Sequence, residues 1–234
     1  MPTAERGPGS IQKQACLIAV EGTDGSGKTT AALALVDMLR KCGRSVTWFP
    51  NRTFRPVRTA LDRLAREEGH ENRFELFGRD FAQLIPSIMK WRELLELETD
   101  LNRPDHFVVV DRYKYAQFAL ARTFETGNEP LLRRLFSAFP EPDLVFFLDV
   151  EPGVAAERVR TRGVDTNTTE FLAGFRDAFH RLPEYETFHV IDASRSADDV
   201  FKEIWSGLTA LRPLDTAAPR PLDTAPGHPV ATPS

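Results

Sequence analysis

The 234-residue chain is long enough for one substantial core or at most two small domains. Its 41% hydrophobic and 27% charged residues are ordinary for a globular protein, and a net charge of −4 gives no support for a nucleic-acid-binding surface. Two cysteines without ligand-like spacing, no apolar run near the roughly 18 residues of a membrane span, and a first dozen residues lacking the apolar core of a secretory signal leave a reduced, cytoplasmic setting as the expectation.

In chain order, residues 1–14 are expected to be a flexible leader. Leu17 to Val20 form a short apolar run ended by Glu21 and Gly22, the pattern of a buried strand. Gly22, Thr23, Asp24, Gly25, Ser26, Gly27, Lys28 and Thr29 then fit G-x-x-x-x-G-K-[ST], a phosphate-binding loop, and Thr30 opens a helix reaching Arg40. The order is chemical. Glycines let backbone N–H groups curl around a polyphosphate, and the helix N-terminus turns its partial positive charge on the same anion. Lys28 is positioned for the β- and γ-phosphates, and the Thr29 hydroxyl for Mg²⁺.

Ser45 to Phe49 read as a second strand, followed by a loop with Arg52 and Arg55 beyond the strand end, where open parallel sheets place ligands. A helix is expected over Val57 to Arg66, then a charged connector. Phe74 to Leu97 is the longest helical stretch, with Pro86 as a kink or break. Phe107 to Val110 form a buried strand ending in Asp111, the carboxylate half of phosphate-loop machinery, with Arg112 and Tyr113 next. Helices are expected over Ala116 to Thr123 and Glu129 to Phe139, and a fourth strand over Leu144 to Val150 with apolar residues on both faces. Gly153 to Thr161 reads as a helix with Arg158 and Arg162 one turn apart; Gly163 to Thr168 reads as a flexible tip and Thr169 to Leu182 as a helix. Phe188 to Ile191 form a last strand before a helix over Ala197 to Leu211. From residue 212 the chain turns Pro- and Ala-rich and repeats RPLDTA, the composition of a disordered tail. Five strands with intervening helices predict a doubly wound α/β domain over residues 15–211, the phosphate-loop strand lying centrally and the strand order left open.

Taken together, EGTDGSGKTT at 21–30, FPNRT at 49–53, ELFGRD at 75–80, VVVDRY at 108–113, PDLVFFLDV at 142–150 with the arginines after it, and VIDAS at 190–194 resemble the thymidylate kinase (dTMP kinase) family, from about Leu17 to Leu211. The resemblance implies a P-loop NTPase fold: a five-stranded parallel sheet covered by helices on both faces, with a helical lid. It implies transfer of the ATP γ-phosphoryl group to a nucleoside monophosphate, normally dTMP, with Mg²⁺, by a homodimer that needs neither nucleic acid nor membrane. Gly22 to Thr30 would hold the ATP phosphates, Thr29 and Asp111 the metal, and Arg52 and Arg112 the acceptor phosphate. Phe77 would stack on the pyrimidine, with Arg79 and Tyr113 nearby, and Arg158, Arg160 and Arg162 fall where the lid lends positive charge.

Several positions depart from the family pattern. The phosphate loop carries Gly25 and Ser26 where some members have an arginine, and the lid tip, VDTNTTE, has no basic residue. Phe81 occupies the expected place of the arginine that reads the thymine edge, with Arg79 displaced by two, and Ala116 stands for the usual serine. These changes touch base and sugar recognition more than phosphate chemistry. Three other readings therefore stay open: a kinase for another or modified nucleoside monophosphate, a nucleotide-binding regulator with little turnover, and a nucleoside kinase using Glu21 as general base.

Overall fold

The computed structural model describes residues 10–52, 54–163 and 167–212. Within them, β1 (Cys16–Gly22), β2 (Ser45–Phe49), β3 (His106–Asp111), β4 (Leu144–Asp149) and β5 (His189–Asp192) form one parallel sheet in the order β2-β3-β1-β4-β5. β1 is central, as its continuous apolar run predicts, and the open question of strand order is answered. The registers Val20 to Asp111 and Gly22 to Leu148 bring the C-terminal ends of β1, β3 and β4 level, so the loops leaving them share one edge.

Successive strand residues point to opposite faces, and the core divides accordingly. On one face Leu17, Val108, Val110 and Phe147 pack with Tyr113, Phe118, Phe136, Phe175 and Phe179. On the other, Ile18, Val20, Val109 and Phe146 pack with Leu35, Leu39, Ile204 and Leu208. The second set comes from α1 (Lys28–Lys41) and the closing helix Ala197–Leu211. Helices thus cover both faces, as expected.

The segment expected as one helix over Phe74 to Leu97 is divided. After α2 (Arg55–Glu67), α3 (Arg73–Phe77) ends at Gly78, where φ is 78°, and α4 (Arg79–Leu94) begins afresh. Asn72 starts α3 by accepting the N–H groups of Phe74 and Glu75 at 2.9 and 3.3 Å. Pro86 lies inside α4 without ending it, so glycine makes the break that proline was expected to make. A short 3₁₀ turn and α5 (Glu98–Leu101) lead to β3. The remaining helices are α6 (Tyr115–Thr123), α7 (Glu129–Phe136), α8 (Pro152–Arg162), α9 (Thr169–His180) and α10 (Ala197–Leu211).

Residues 10–14, expected in the loose leader, are tied to the domain. Ile11 is buried and donates its N–H to Ala138 O at 3.0 Å, Gln14 donates to Leu101 O at 2.8 Å, and Lys13 pairs with Asp143 at 2.8 Å. The rest of the leader, the repeated tail and residues 164–166 of the lid tip lie outside the described residues.

Phe147 on β4 has its ring against Phe179 at 5.0 Å, Tyr185 at 5.5 Å and Phe188 at 6.5 Å, with no solvent exposure. Truncating it removes transfer energy and leaves a cavity, so Phe147→Ala should cost about 3–5 kcal/mol in urea denaturation. A loss below about 1 kcal/mol, the scale of a conservative core swap, would show that this aromatic cluster does not hold the sheet to α9.

Candidate active site

Between β1 and α1 the chain makes the phosphate loop. Gly27 caps α1 at φ 90°, and Gly25 lies at φ 86° where an added Cβ would stand 2.4 Å from the Ala155 carbonyl of α8. Only glycine fits between the loop and the helix that crosses it. The helix N-terminus faces the same edge and presents unpaired N–H groups to an anion.

Two bonds tie the loop to its surroundings. Lys28 Nζ donates to the Thr23 carbonyl at 2.5 Å, and the Thr29 hydroxyl donates to Asp111 Oδ2 at 2.6 Å. Asp111 Oδ1 is buried and accepts no hydrogen bond among the described residues. A hydroxyl beside a half-satisfied buried carboxylate is a donor set of hard oxygens suited to Mg²⁺. Arg112, held at φ 63° by its N–H bond to Val20 O at 3.1 Å, turns back over the loop and donates to Asp24. Asp24 also accepts from the Asn167 amide at 2.6 Å, which ties the foot of the lid to the phosphate loop.

The charges tune one another. Burial raises the Asp24 carboxyl, but attraction to Arg112 and then Lys28 outweighs it and holds Asp24 below the usual carboxylate range. Burial, and after it repulsion from Arg112, brings Lys28 down to about 8 against the pull of Asp24, Asp111 and Glu21. Glu21, fully enclosed beneath the Arg112 turn, accepts the Tyr113 N–H at 2.9 Å and lines neither of the cavities described next.

Two cavities meet at the loop. One, of about 630 Å³, lies over Gly25, Ser26, Gly27 and Thr30 and is walled by Arg158 and Arg162 of α8 and by the start of α10. Arg158 donates to Ala193 O at 2.9 Å and to Gly25 O at 3.4 Å. Arg160 is on the outer face of α8, paired with Glu157 and away from the cavity. The other, a narrower cleft of about 140 Å³, is lined by Asp24, Arg52, Arg58 and Arg112 together with Phe74, Phe124, Phe171, Gln83 and Gln117. The Phe74 and Phe124 rings stand 5.0 Å apart, and Arg73 lies 4.3 Å over Phe74.

Arg52 and Arg112 both reach this cleft, although Arg52 is engaged there with Glu96 at 2.7 Å. Phe77 does not line it; its ring packs on Phe81, 6.0 Å away, and the aromatic wall comes from Phe74 instead. Arg79 is exposed and pairs with Glu125 at 3.5 Å, outside the cleft. Tyr113 is fully buried, its hydroxyl donating to Pro140 O at 3.0 Å, which makes it a core residue. Sequence spacing does not single out Asn51, Gln83, Phe124 or Phe171, because each reaches the cleft from a different element. The phosphate loop alone marks where such a cleft would open.

A polyphosphate cradle, a carboxylate at the end of the neighbouring strand, arginines from α8 and a second, arginine-headed cleft define the protein as a P-loop phosphotransferase. Residues 20–204 match the family model for thymidylate kinase. The chain is 32% identical to a probable thymidylate kinase of Archaeoglobus fulgidus, covering 80% of this chain and 92% of that one. It is 29% identical to the thymidylate kinase of Danio rerio over 82% and 89%, and 32% identical to that of Xanthomonas euvesicatoria pv. vesicatoria over 86% and 84%. The chain belongs to the thymidylate kinase family.

The buried Glu21 generates a pH prediction. Burial raises its carboxyl from 4.5 to about 7 against the pull of Arg112 and the Tyr113 N–H. A carboxyl raised by folding supports the fold fully below its unfolded value and withdraws that support as pH climbs through its folded value. Glu21→Gln keeps an acceptor for Tyr113 and cannot ionise. Its thermal midpoint relative to the parent should therefore rise between pH 4.5 and about pH 7 and level off above. An offset that stays constant across that window would mean that Glu21 is charged throughout it.

Proposed function

We propose that the two cavities work as one reaction site, in which the chain transfers the γ-phosphoryl group of ATP to dTMP and releases dTDP and ADP. The observation that carries this reading is the shared wall: Gly25 to Gly27 line the larger cavity and Asp24 the narrower one, so a phosphate chain on the loop ends beside the arginines of the second cleft. ATP takes the larger cavity, with its phosphates on Gly22 to Thr30. The acceptor phosphate lies against Arg112 and Arg52, and its base against the Phe74 wall.

Phosphoryl transfer asks for in-line positioning and compensation of spread negative charge more than for covalent help. In this chain Lys28 leaves the Thr23 carbonyl for the β- and γ-phosphates, and Arg158, already touching the loop, meets the charge that builds during transfer. Asp24 keeps Arg112 aimed at the acceptor. Thr29 and Asp111 hold Mg²⁺, which shields the phosphates when bound; the orphaned Asp111 Oδ1 supports that role. Among the described residues there is no cluster of three or more metal-ligating side chains, in keeping with an ion held largely by substrate phosphates. No described helix is long and apolar enough to cross a membrane, and both cysteines are free, which supports a cytoplasmic setting.

The test is a coupled assay of ADP release with ATP, Mg²⁺ and dTMP. Lys28→Ala should lower kcat on the order of 10²–10³-fold, the scale of removing one charge-stabilising donor, in protein that keeps the parent's far-ultraviolet circular dichroism. Arg112→Ala should lower kcat/KM for dTMP by a similar factor, on the order of 10²–10³, with little change in the KM for ATP. Unaltered turnover in the first, or an unaltered dTMP dependence in the second, would remove that residue from its role.

A homodimer is part of the proposal. Phe81 and Ile88 stand 54% and 48% exposed on α4, two turns apart with Ile85 between them, an apolar stripe that faces outward apart from the contact of Phe81 with Phe77. The purified chain should scatter light as a particle of twice 26.4 kDa. Ile88→Lys should halve that mass; a variant that stays dimeric would place the interface elsewhere.

A further inference from the structure

Two arginines of the acceptor cleft, Arg112 and Arg52, are carried in different ways. Arg112 sits at a left-handed turn bonded to β1, whereas Arg52 stands on the loop after β2, the edge strand of the sheet. Against that loop α4 buries two charged side chains one turn apart, Lys90 and Glu93, which are 1% and 3% exposed. We propose that Lys90 and Glu93 are positioning residues that clamp the loop after β2, while Glu96 parks the Arg52 guanidinium, so that the acceptor phosphate takes Arg52 over from Glu96 without rearranging the loop. The inference rests on the reading of this cleft as the acceptor site.

The clamp has two prongs on consecutive loop residues. Lys90 Nζ donates to Asn51 Oδ1 at 3.4 Å, and Glu93 Oε1 accepts the Arg52 N–H at 3.3 Å. The prongs are joined, because Lys90 Nζ also donates to that Glu93 oxygen at 3.4 Å. The Phe49 ring completes the seat, its centre 5.9 Å from Lys90 Nζ and 5.8 Å from the Arg52 guanidinium. One ion pair thus grips the side chain of Asn51 and the backbone of Arg52, which leaves the Arg52 side chain as the part that moves. Packing alone does not call for such a pair, since apolar side chains of similar volume commonly fill a core at no loss of stability. Burial lowers the Lys90 ammonium against the pull of Glu93 and, after it, of Glu21 and Asp111. Glu93 Oε2 is buried and accepts no hydrogen bond among the described residues, a further cost. What the two charges secure is the loop.

The head of Arg52 is held more lightly. Its guanidinium meets Glu96, in the 3₁₀ turn after α4, at 2.7 and 2.9 Å, with the two side chains 54% and 38% exposed. Exposed ion pairs are weak, and a phosphate offers the same two-oxygen face with more charge. Glu96 keeps a second partner, Arg92 at 3.5 Å, when Arg52 leaves. The parked state therefore yields to the acceptor, and Glu96 sets the threshold at which it does.

The two halves of the device predict opposite shifts in steady-state kinetics of the full chain with ATP, Mg²⁺ and varied dTMP. Glu96→Gln should lower the KM for dTMP about two- to fivefold, the scale of an exposed ion pair. The double variant Lys90→Met/Glu93→Leu removes both buried charges together, so that neither is left unpaired. It should raise the KM for dTMP about tenfold, the scale of one hydrogen bond to a charged group, with kcat and the KM for ATP unchanged. Both shifts should vanish when Arg52 is already alanine, as they must if they act through that side chain. A dTMP KM that Glu96→Gln leaves alone or raises, or a clamp effect that is absent or that persists beside Arg52→Ala, would overturn the inference and leave the kinase assignment intact. A parent that does not phosphorylate dTMP, or an Arg52→Ala variant that uses dTMP as the parent does, would overturn the acceptor-site reading and the inference with it. Should the double variant fail to fold, Asn51→Ala opens one prong from an exposed position and is held to the same two criteria, a raised dTMP KM and no effect beside Arg52→Ala.

Discussion

The parallel pairing of β1 with β3 is the constraint on which the rest of this structure depends. It sets Val20 opposite Asp111, which puts Thr29, the second residue of the next helix, 2.6 Å from the Asp111 carboxylate. At that junction Glu21, Lys28 and Arg112 are buried and the half-buried Asp24 pairs with Arg112, all at the sheet edge. Buried charges are tolerated when each has partners, and removing one leaves the others uncompensated. Lys28 shows the tension most plainly: burial and Arg112 both act against its charge, while three carboxylates act for it. A polyphosphate adds negative charge where the cations are crowded, so ligand binding relieves a strain that folding alone leaves in place. Stability and function therefore pull in opposite directions at this edge, as sites built for charged substrates often do.

How much of this was legible in the sequence depends on how local the signal is. The phosphate loop, the central strand and the Asp-Arg pair after β3 are contiguous patterns, and a short run of residues carries both their geometry and their chemistry. The strand boundaries follow from apolar runs and shift by a residue or two at their ends. The helix break at Gly78 was harder to see, because apolar spacing continues from Phe74 through Trp91 on either side of it. Proline looked like the stronger breaker, yet Pro86 fits inside α4 and the left-handed glycine divides the segment. Phe77 illustrates the consequence. The family resemblance puts Phe77 on the base, whereas the new start at Arg79 leaves its ring on Phe81 and Phe74 lining the cleft.

The acceptor cleft is non-local by construction. Asn51 follows β2, Phe74 belongs to α3, Gln83 to α4, Gln117 to α6 and Phe171 to α9. Apart from α3 and α4, which adjoin across Gly78, these elements lie far apart in the sequence, so spacing carries little trace of the cleft. Tyr113 is the converse case. Its place beside Arg112 makes it look like a ligand residue, but alternation along the chain decides otherwise: Arg112 turns toward the loop at positive φ, and the next side chain enters the core, where Glu21 accepts its N–H. Adjacent residues are the least safe inference near a left-handed turn, since the turn reverses the direction in which the following side chain points.

The departures in the phosphate loop and lid bear on where transition-state charge is met. Gly25 and Ser26 bring no cation, and neither Asn167 at the foot of the lid nor the residues VDT before it supply one. Asn167 instead binds Asp24, a contact in which the lid contributes a neutral donor. Arg195, just before α10, lines the larger cavity, and its other arginines, Arg158 and Arg162, are on α8, a regular helix whose first turn closes over Gly25 without room for a side chain. That close approach brings Arg158 within hydrogen-bond distance of the Gly25 carbonyl before any substrate arrives. A cation carried on a packed helix loses less freedom on meeting phosphate than one carried on a loop. The absence of a side chain at position 25 and the presence of arginine at position 158 are thus one structural solution: glycine admits the helix, and the helix delivers the charge that the loop lacks.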